Sequence, residues 1–197
     1  MTGQLLLRPK DMPREPHTHL VFTLAGLEEL RYVDLRKFGG FHYLTPDGQI
    51  PAGLAELGPE PLGAEFTPEI LAATLGTCRG PLKAALLDQR RLAGIGNIYA
   101  DEILHRAGLA PTRPAKALSQ GELARLYEFI REVLAEGIAH RGTTRRNYVD
   151  GDGRPGEYQE RLRVYGRSGQ ACPSCGAEIV RTVVAGRGTH YCPHCQT

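Results

Sequence analysis

The 197-residue chain is predicted to be an α+β protein, with strands at its amino-terminal end, helices through the middle and a four-cysteine hairpin at its carboxyl end. Three observations predict this. Residues 4–44 are short aliphatic and aromatic runs broken by Gly, Pro and Asp. From Thr67 onward apolar residues recur at helical spacing. Cys172, Cys175, Cys192 and Cys195 form two Cys-x-x-Cys pairs separated by sixteen residues.

Taken in order, "LLLRP", "HLVFTL", "EELRYVD" and "GGFHYL" read as strands of a small antiparallel sheet. The Pro/Gly-rich connector "TPDGQIPAGLAELGPEPLG" leads out of it and places a domain boundary near residue 55. Two helical segments follow, "PLKAALLDQRRLA" and "NIYADEILHRAG", separated by "GIG" and closed by Pro111 and Pro114. A longer helix starts at Ser119, where Ser119 and Glu122 have capping-box spacing. Its stripe of Leu123, Leu126, Tyr127, Ile130, Val133, Leu134 and Ile138 is core. Residues 141–160 carry four glycines and no apolar period, and read as a long flexible loop; a functional loop and a linker both fit.

Composition bounds the function. With 41% apolar residues the chain can bury a normal core in one large or two small domains. No signal peptide or long apolar run appears, which points to a reducing cytosol where thiols stay free for metal. The formal net charge of +2 is unevenly spread: residues 141–197 hold nine arginines against five acids, and the remainder is slightly acidic. Part of this excess, Arg167, Arg181 and Arg187, balances the charge that four thiolates around one zinc ion would carry.

Two places carry chemistry. Paired Cys-x-x-Cys knuckles fit a closed tetrahedral zinc site, with two disulfides as the alternative, while Cys78 lacks a partner motif and reads as a small buried apolar residue. At the glycine turn, Gly94 and Gly96 let backbone approach a ligand and Asn97 opens a helix, so free N–H groups and the helix dipole converge where a phosphate fits. An ordinary N-cap is the other reading of Asn97. Arg79 and Lys83 add positive charge just upstream, though each alone would read as a solvated residue.

Four segments, "LRKFGG" (35–40), "LGPEPL" (57–62), "LKAALLDQRRLAGIGNIYADEILHRAGLAPTRPA" (82–115) and "VYGRSGQACPSCGAEIVRTVVAGRGTHYCPHCQ" (164–196), resemble in content and order the formamidopyrimidine-DNA glycosylase family of base-excision repair enzymes. The resemblance implies a partial β-sandwich over 1–55, a helix-two-turn-helix DNA-binding domain over 56–160 whose 141–160 loop caps the extruded base, and a zinc finger over 161–197. It implies that Asn97 grips the phosphate of the damaged nucleotide. Arg187, at the finger's tip, would hold flanking phosphates and act in the final elimination step. Met1, Arg36 and Phe38 match the wedge that fills the hole left by the flipped base, and His17 matches a further DNA contact. The cofactor implied is one structural zinc held by Cys172, Cys175, Cys192 and Cys195. The partner is duplex DNA carrying oxidised bases or abasic sites, met by a cytoplasmic monomer.

The family's reaction uses an amino-terminal proline amine as nucleophile and an adjacent glutamate as proton shuttle. This chain starts "MTGQ", and Met1 aligns with the family's internal wedge methionine. The expectation is therefore a fragment of a bifunctional glycosylase and abasic-site lyase that removes 8-oxoguanine and formamidopyrimidines, without the nucleophile. A non-catalytic module for damaged or abasic DNA is the alternative. A zinc ribbon for protein contacts would leave the Gly-Ile-Gly-Asn turn and the Arg36/Phe38 pair unexplained.

Overall fold

The computed structural model describes residues 2–46, 48, 50–145 and 147–197, and the chain divides into two compact units. One comprises Met1–Gln49 with Gly137–Arg161, the other Ile50–Glu136 with Leu162–Thr197.

The first unit is built on an antiparallel sheet of β1 (Gln4–Pro9), β2 (Thr18–Thr23) and β3 (Glu28–Val33), in the order β1-β3-β2. The middle of β3 is Arg31, which is fully buried. Its guanidinium donates to the carbonyls of Pro9, Met12 and Pro13 at 2.7–3.1 Å and pairs with Glu15 and Glu29. An enclosed guanidinium is tolerated because these acceptors replace water, and they also pin the loop that leads to His17. Leu6 is buried in β1, whereas Leu5, Leu20, Phe22, Leu24 and Leu27 are exposed.

The fourth strand expected over 39–44 does not form. β1 and β2 already flank β3, and Phe41 packs by its ring on Tyr32 (4.9 Å) and Phe22 (5.4 Å), so face packing rather than a backbone ladder holds this stretch. Of residues 141–160, read as a flexible loop, 158–160 belong to a 3-10 turn (Tyr158–Arg161), and the described residues before it are irregular but tied internally: Thr144 Oγ1 donates to Tyr148 O and accepts from Gly156 N, both at 2.7 Å. Asp150 Oδ1 accepts from the N–H groups of Asp152 and Arg154.

The second unit holds α1 (Ala52–Ala55), α2 (Pro68–Gly76), α3 (Leu82–Leu87), α4 (Asn97–Ala107), most of α5 (Gln120–Ala139) and the hairpin β4 (Val180–Val184) and β5 (Arg187–Tyr191). α2 starts at the Thr67 cap with Pro68 in its first turn, and α4 stops at Gly108, whose φ of +71° suits glycine. The α5 capping box forms as read: Glu122 accepts from Ser119 N at 2.8 Å and its own N–H reaches Ser119 Oγ. Leu126, Ile130 and Val133 are buried in the core, but Ile138 is 70% exposed, so the stripe ends one turn early. The segment read as helix through residue 93 stops at Leu87. Asp88 takes the N–H of Arg90 on its side chain and those of Arg91 and Leu92 on its carbonyl, which turns the chain instead.

Candidate nucleic-acid interface and metal centre

The turn between α3 and α4 is stapled by Gln89. Its Oε1 accepts from Gly94 N at 2.9 Å and its Nε2 donates to Ile95 O at 3.0 Å, holding Gly94 at φ +79°, where a side chain would be strained. The "LGPEPL" segment supports the same turn through Gly58 N to Gln89 O and Ala93 N to Pro59 O. α4 then opens on Asn97 with no acid of its own in its first turn, while the Glu60 carboxylate lies beside Gly94 in the turn before it.

The hairpin meets this helix. Ala185 and Gly186 carry φ of +49° and +72°, the two successive positive values of a two-residue turn between Val184 and Arg187. Arg187 is exposed at the tip. Asn97 Nδ2 donates to Gly188 O at 3.0 Å, which places the helix start beside the residue following Arg187. Lys83 is not a solvated cation: it is fully buried, 2.7 Å from Asp101 Oδ1, and donates to Thr189 Oγ1 (2.8 Å) and Gly188 O (3.1 Å). Burial, with a smaller push from Arg187, holds its pKa below that of a free lysine, and burial likewise raises that of Asp101. Arg79 is exposed between α2 and α3.

Four polar side chains on one face of α4 reach successive parts of the finger. Besides Asn97, Asp101 Oδ2 accepts from His190 N (2.8 Å), and Glu102 accepts from the N–H groups of Arg163, Val164 and Tyr165 (2.8–3.0 Å). His105 Nε2 lies 3.4 Å from Cys172 Sγ. Asp101, Glu102 and His105 were not singled out in the sequence. Their spacing of four, five and eight residues from Asn97 was the available signal, but an acidic run on a helix also reads as a solvated face.

The cysteines gather as their spacing requires. The four Sγ atoms lie within 4.8 Å of one another, with Cys175 to Cys192 at 3.5 Å and Cys172 to Cys195 at 3.9 Å. Zinc–sulfur bonds of about 2.3 Å around a tetrahedron put sulfurs about 3.8 Å apart, so the cage fits the ion. Each knuckle aims an N–H at its own sulfur, Ser174 N at Cys172 and Cys195 N at Cys192. Burial opposes the Cys172 thiolate, yet His105 and the knuckle N–H groups outweigh it and bring its pKa to about 6. Burial raises the Cys192 thiol, and its neighbours, Cys175 foremost, raise that of Cys195, so these two thiols stay neutral unless a bound cation offsets the charge of their thiolates.

In the sheet unit, His17 is exposed and strained at φ +64° between β1 and β2. Arg36 and Phe38 are exposed on the loop after β3, with the guanidinium 5.0 Å above the Phe38 ring. Met1 lies outside the described residues.

A helix that presents its amino terminus beside a cysteine-clasped hairpin defines a zinc-finger DNA-binding protein of the helix-two-turn-helix class. Family models match in the same order: the formamidopyrimidine-DNA glycosylase N-terminal domain over residues 1–41, its H2TH domain over 57–148, and a zinc finger found in FPG and IleRS over 169–197. A formamidopyrimidine-DNA glycosylase of Carboxydothermus hydrogenoformans is 50% identical over 196 residues, covering all of this chain and 71% of that protein. The crystal structure of the MutM (Fpg) protein from Thermus thermophilus is 47% identical, with TM-score 0.88 over all of this chain and 73% of its own. A Lactococcus lactis Fpg solved with DNA containing an abasic site is 38% identical, with TM-score 0.90 over all of this chain and 72% of its own. The chain belongs to the formamidopyrimidine-DNA glycosylase family. Among the described residues no helix is long and apolar enough to cross a membrane.

Proposed function

We propose that this chain holds damaged duplex DNA for base-excision repair of oxidised purines, the family's glycosylase and abasic-site lyase reaction. One observation carries the reading: the amino terminus of α4, Asn97 and the tip of the Arg187 hairpin converge on one surface, joined by the Asn97 to Gly188 hydrogen bond. That surface offers backbone N–H groups, an amide and a guanidinium to phosphates. Lys83 supports it from beneath, and Arg79 adds charge nearby. Arg36 and Phe38 act as the wedge in the base stack, with Met1 and His17 as further contacts, and 141–160 caps the extruded base. On this reading 1–55, 56–160 and 161–197 are the sandwich part, the helical domain and the finger. Cys172, Cys175, Cys192 and Cys195 would hold one zinc ion, which fixes a hairpin too small to fold alone.

The nucleophilic step is assigned to none of these 197 residues, and the non-catalytic reading keeps the same surface. Of the four lysines, Lys83 is enclosed and paired, and Lys10 donates to Gly26 O. Neither Lys37 nor Lys116 has a carboxylate partner of its own among the ion pairs of the described residues.

Gel-shift titration on an abasic-site duplex at several salt concentrations tests the interface. Arg187→Ala should weaken binding and flatten the salt slope by about one phosphate contact. Asn97→Ala should weaken binding with less change in slope. Equal binding by both variants and the parent would refute the placement.

A further inference from the structure

We infer that Asp34 is the positioning residue of the wedge loop: its buried carboxylate holds the Arg36–Phe38 segment, and its main-chain N–H holds His17; this rests on reading Arg36 and Phe38 as base-stack contacts. Asp34 follows β3 directly and is 2% exposed. Its Oδ1 accepts from the Thr2 hydroxyl at 2.5 Å and from Arg36 N at 3.2 Å, and its Oδ2 accepts from the Tyr32 hydroxyl at 2.9 Å. Gly39 packs against this pair: a Cβ there would clash with the Tyr32 hydroxyl and lie 3.8 Å from Asp34 Oδ2. Its main chain is engaged as well: Asp34 N donates to His17 O (3.1 Å), and its carbonyl lies 2.9 Å from His19 Nε2.

The loop is thus held on both sides of Phe38, by the Arg36 N–H on the carboxylate and by the close packing of Gly39 on the Tyr32 hydroxyl. The span between the anchors includes Lys37 at φ +56°, a conformation that a non-glycine residue keeps only when its surroundings impose it. Tyr32 enforces the closing anchor. Its hydroxyl reaches Asp34 across Gly39, where any Cβ would collide with it, and its ring also crowds the place of a Cβ at Gly3.

The charge is what couples these anchors. A buried carboxylate is stable only with several donors, and here the donors are the Arg36 N–H of the loop together with two hydroxyls. Opening the loop would strip donor contacts from an enclosed anion, so the carboxylate favours the one loop conformation that satisfies it. The side chains that would meet DNA stay largely outside this arrangement. Phe38 is 78% exposed, and the Arg36 guanidinium lies over its ring and makes a 3.3 Å contact from Nε to Thr2 Oγ1. The backbone is held and the contact groups are presented. A motif search would single out Arg36 and Phe38, but the residue that places them precedes both.

The test uses the 197-residue chain and a duplex in which 2-aminopurine lies opposite an abasic-site analogue, so that insertion of a wedge changes its fluorescence. Asp34→Asn keeps size and loses charge. It should lower affinity for this duplex about 10-fold, leave affinity for undamaged duplex within about 2-fold, and abolish the fluorescence change. Tyr32→Phe removes one donor and should give about a 3-fold loss with a reduced change. Phe38→Ala serves as reference and should lose the signal. Hydrogen exchange of β1 and β3 is measured on each variant. If Phe38→Ala loses the signal while Asp34→Asn keeps it, Asp34 does not position the wedge. If Asp34→Asn exposes β1 and β3 to exchange, Asp34 holds the sheet instead, and the proposal is equally overturned. If Phe38→Ala retains the full signal, the wedge reading itself fails and takes this inference with it.

Discussion

Replacing Lys83 by methionine removes the ammonium from a site with no exposed surface and leaves Asp101 behind, equally enclosed. At 2.7 Å the pair attracts by about 6 kcal/mol at an effective dielectric of about 20. Desolvating two ions costs several kcal/mol each, so the intact pair adds little net stability. The single variant differs because the cost of burying the carboxylate persists without its partner, and Gly188 O and Thr189 Oγ1 each lose a donor. We expect Lys83→Met to destabilise the helical unit by about 3–5 kcal/mol, which should lower its melting temperature by about 10–15 °C. The double variant Lys83→Met/Asp101→Asn should recover about 2 kcal/mol, because the amide oxygen still accepts from His190 N without a buried charge. Thermal and urea melts of the zinc-loaded protein measure both. A loss under about 1 kcal/mol in the single variant, or a double variant as unstable as the single, would refute the argument.

Three further outcomes follow from the same geometry. Arg113 first, then Ser119, hold the Glu122 carboxyl down to about 2 from the usual 4.5, so its contribution is present above about pH 4.5 and fades as pH falls toward 2. Urea unfolding from about pH 5 to about pH 2.5 should show Glu122→Gln losing less stability over that window than the parent. Metal analysis should find about one zinc per chain, and serine at any of the four cysteines should remove the ion and exchange protection of β4 and β5 together; a variant that lost only the ion would contradict a structural role. With no lysine both open to a ligand and beside a carboxylate among the described residues, the 197-residue chain should bind abasic DNA yet resist borohydride trapping, and efficient trapping would show that another amine serves as nucleophile.

Much of the helical unit was legible because its signals are local. The Ser119/Glu122 box, the glycine turn and the paired knuckles each depend on residues a few positions apart, and a paired Cys-x-x-Cys admits few geometries. Lys83, Asp101 and Glu102 were illegible as buried groups for the opposite reason. A charge on a helix reads as solvated unless its partner is known, and here the partners lie far along the chain, up to 106 residues away for Lys83 and Thr189. The stretch 39–44 failed as a strand because alternating aromatic residues report that one face is covered, without reporting whether a neighbouring chain offers a ladder. Asp34 gave no signal, since its donors come from both ends of the sheet segment.

The face of α4 sets a limit on engineering. This finger is keyed to its helix by Asn97, Asp101, Glu102 and His105, each matched to particular backbone or sulfur atoms. A finger transplanted from a relative would arrive with the right metal and the wrong lock wherever those helix residues differ. Chimeras of this family should therefore be cut so that α4 and the hairpin travel together, although all of α5 lies between them in the chain.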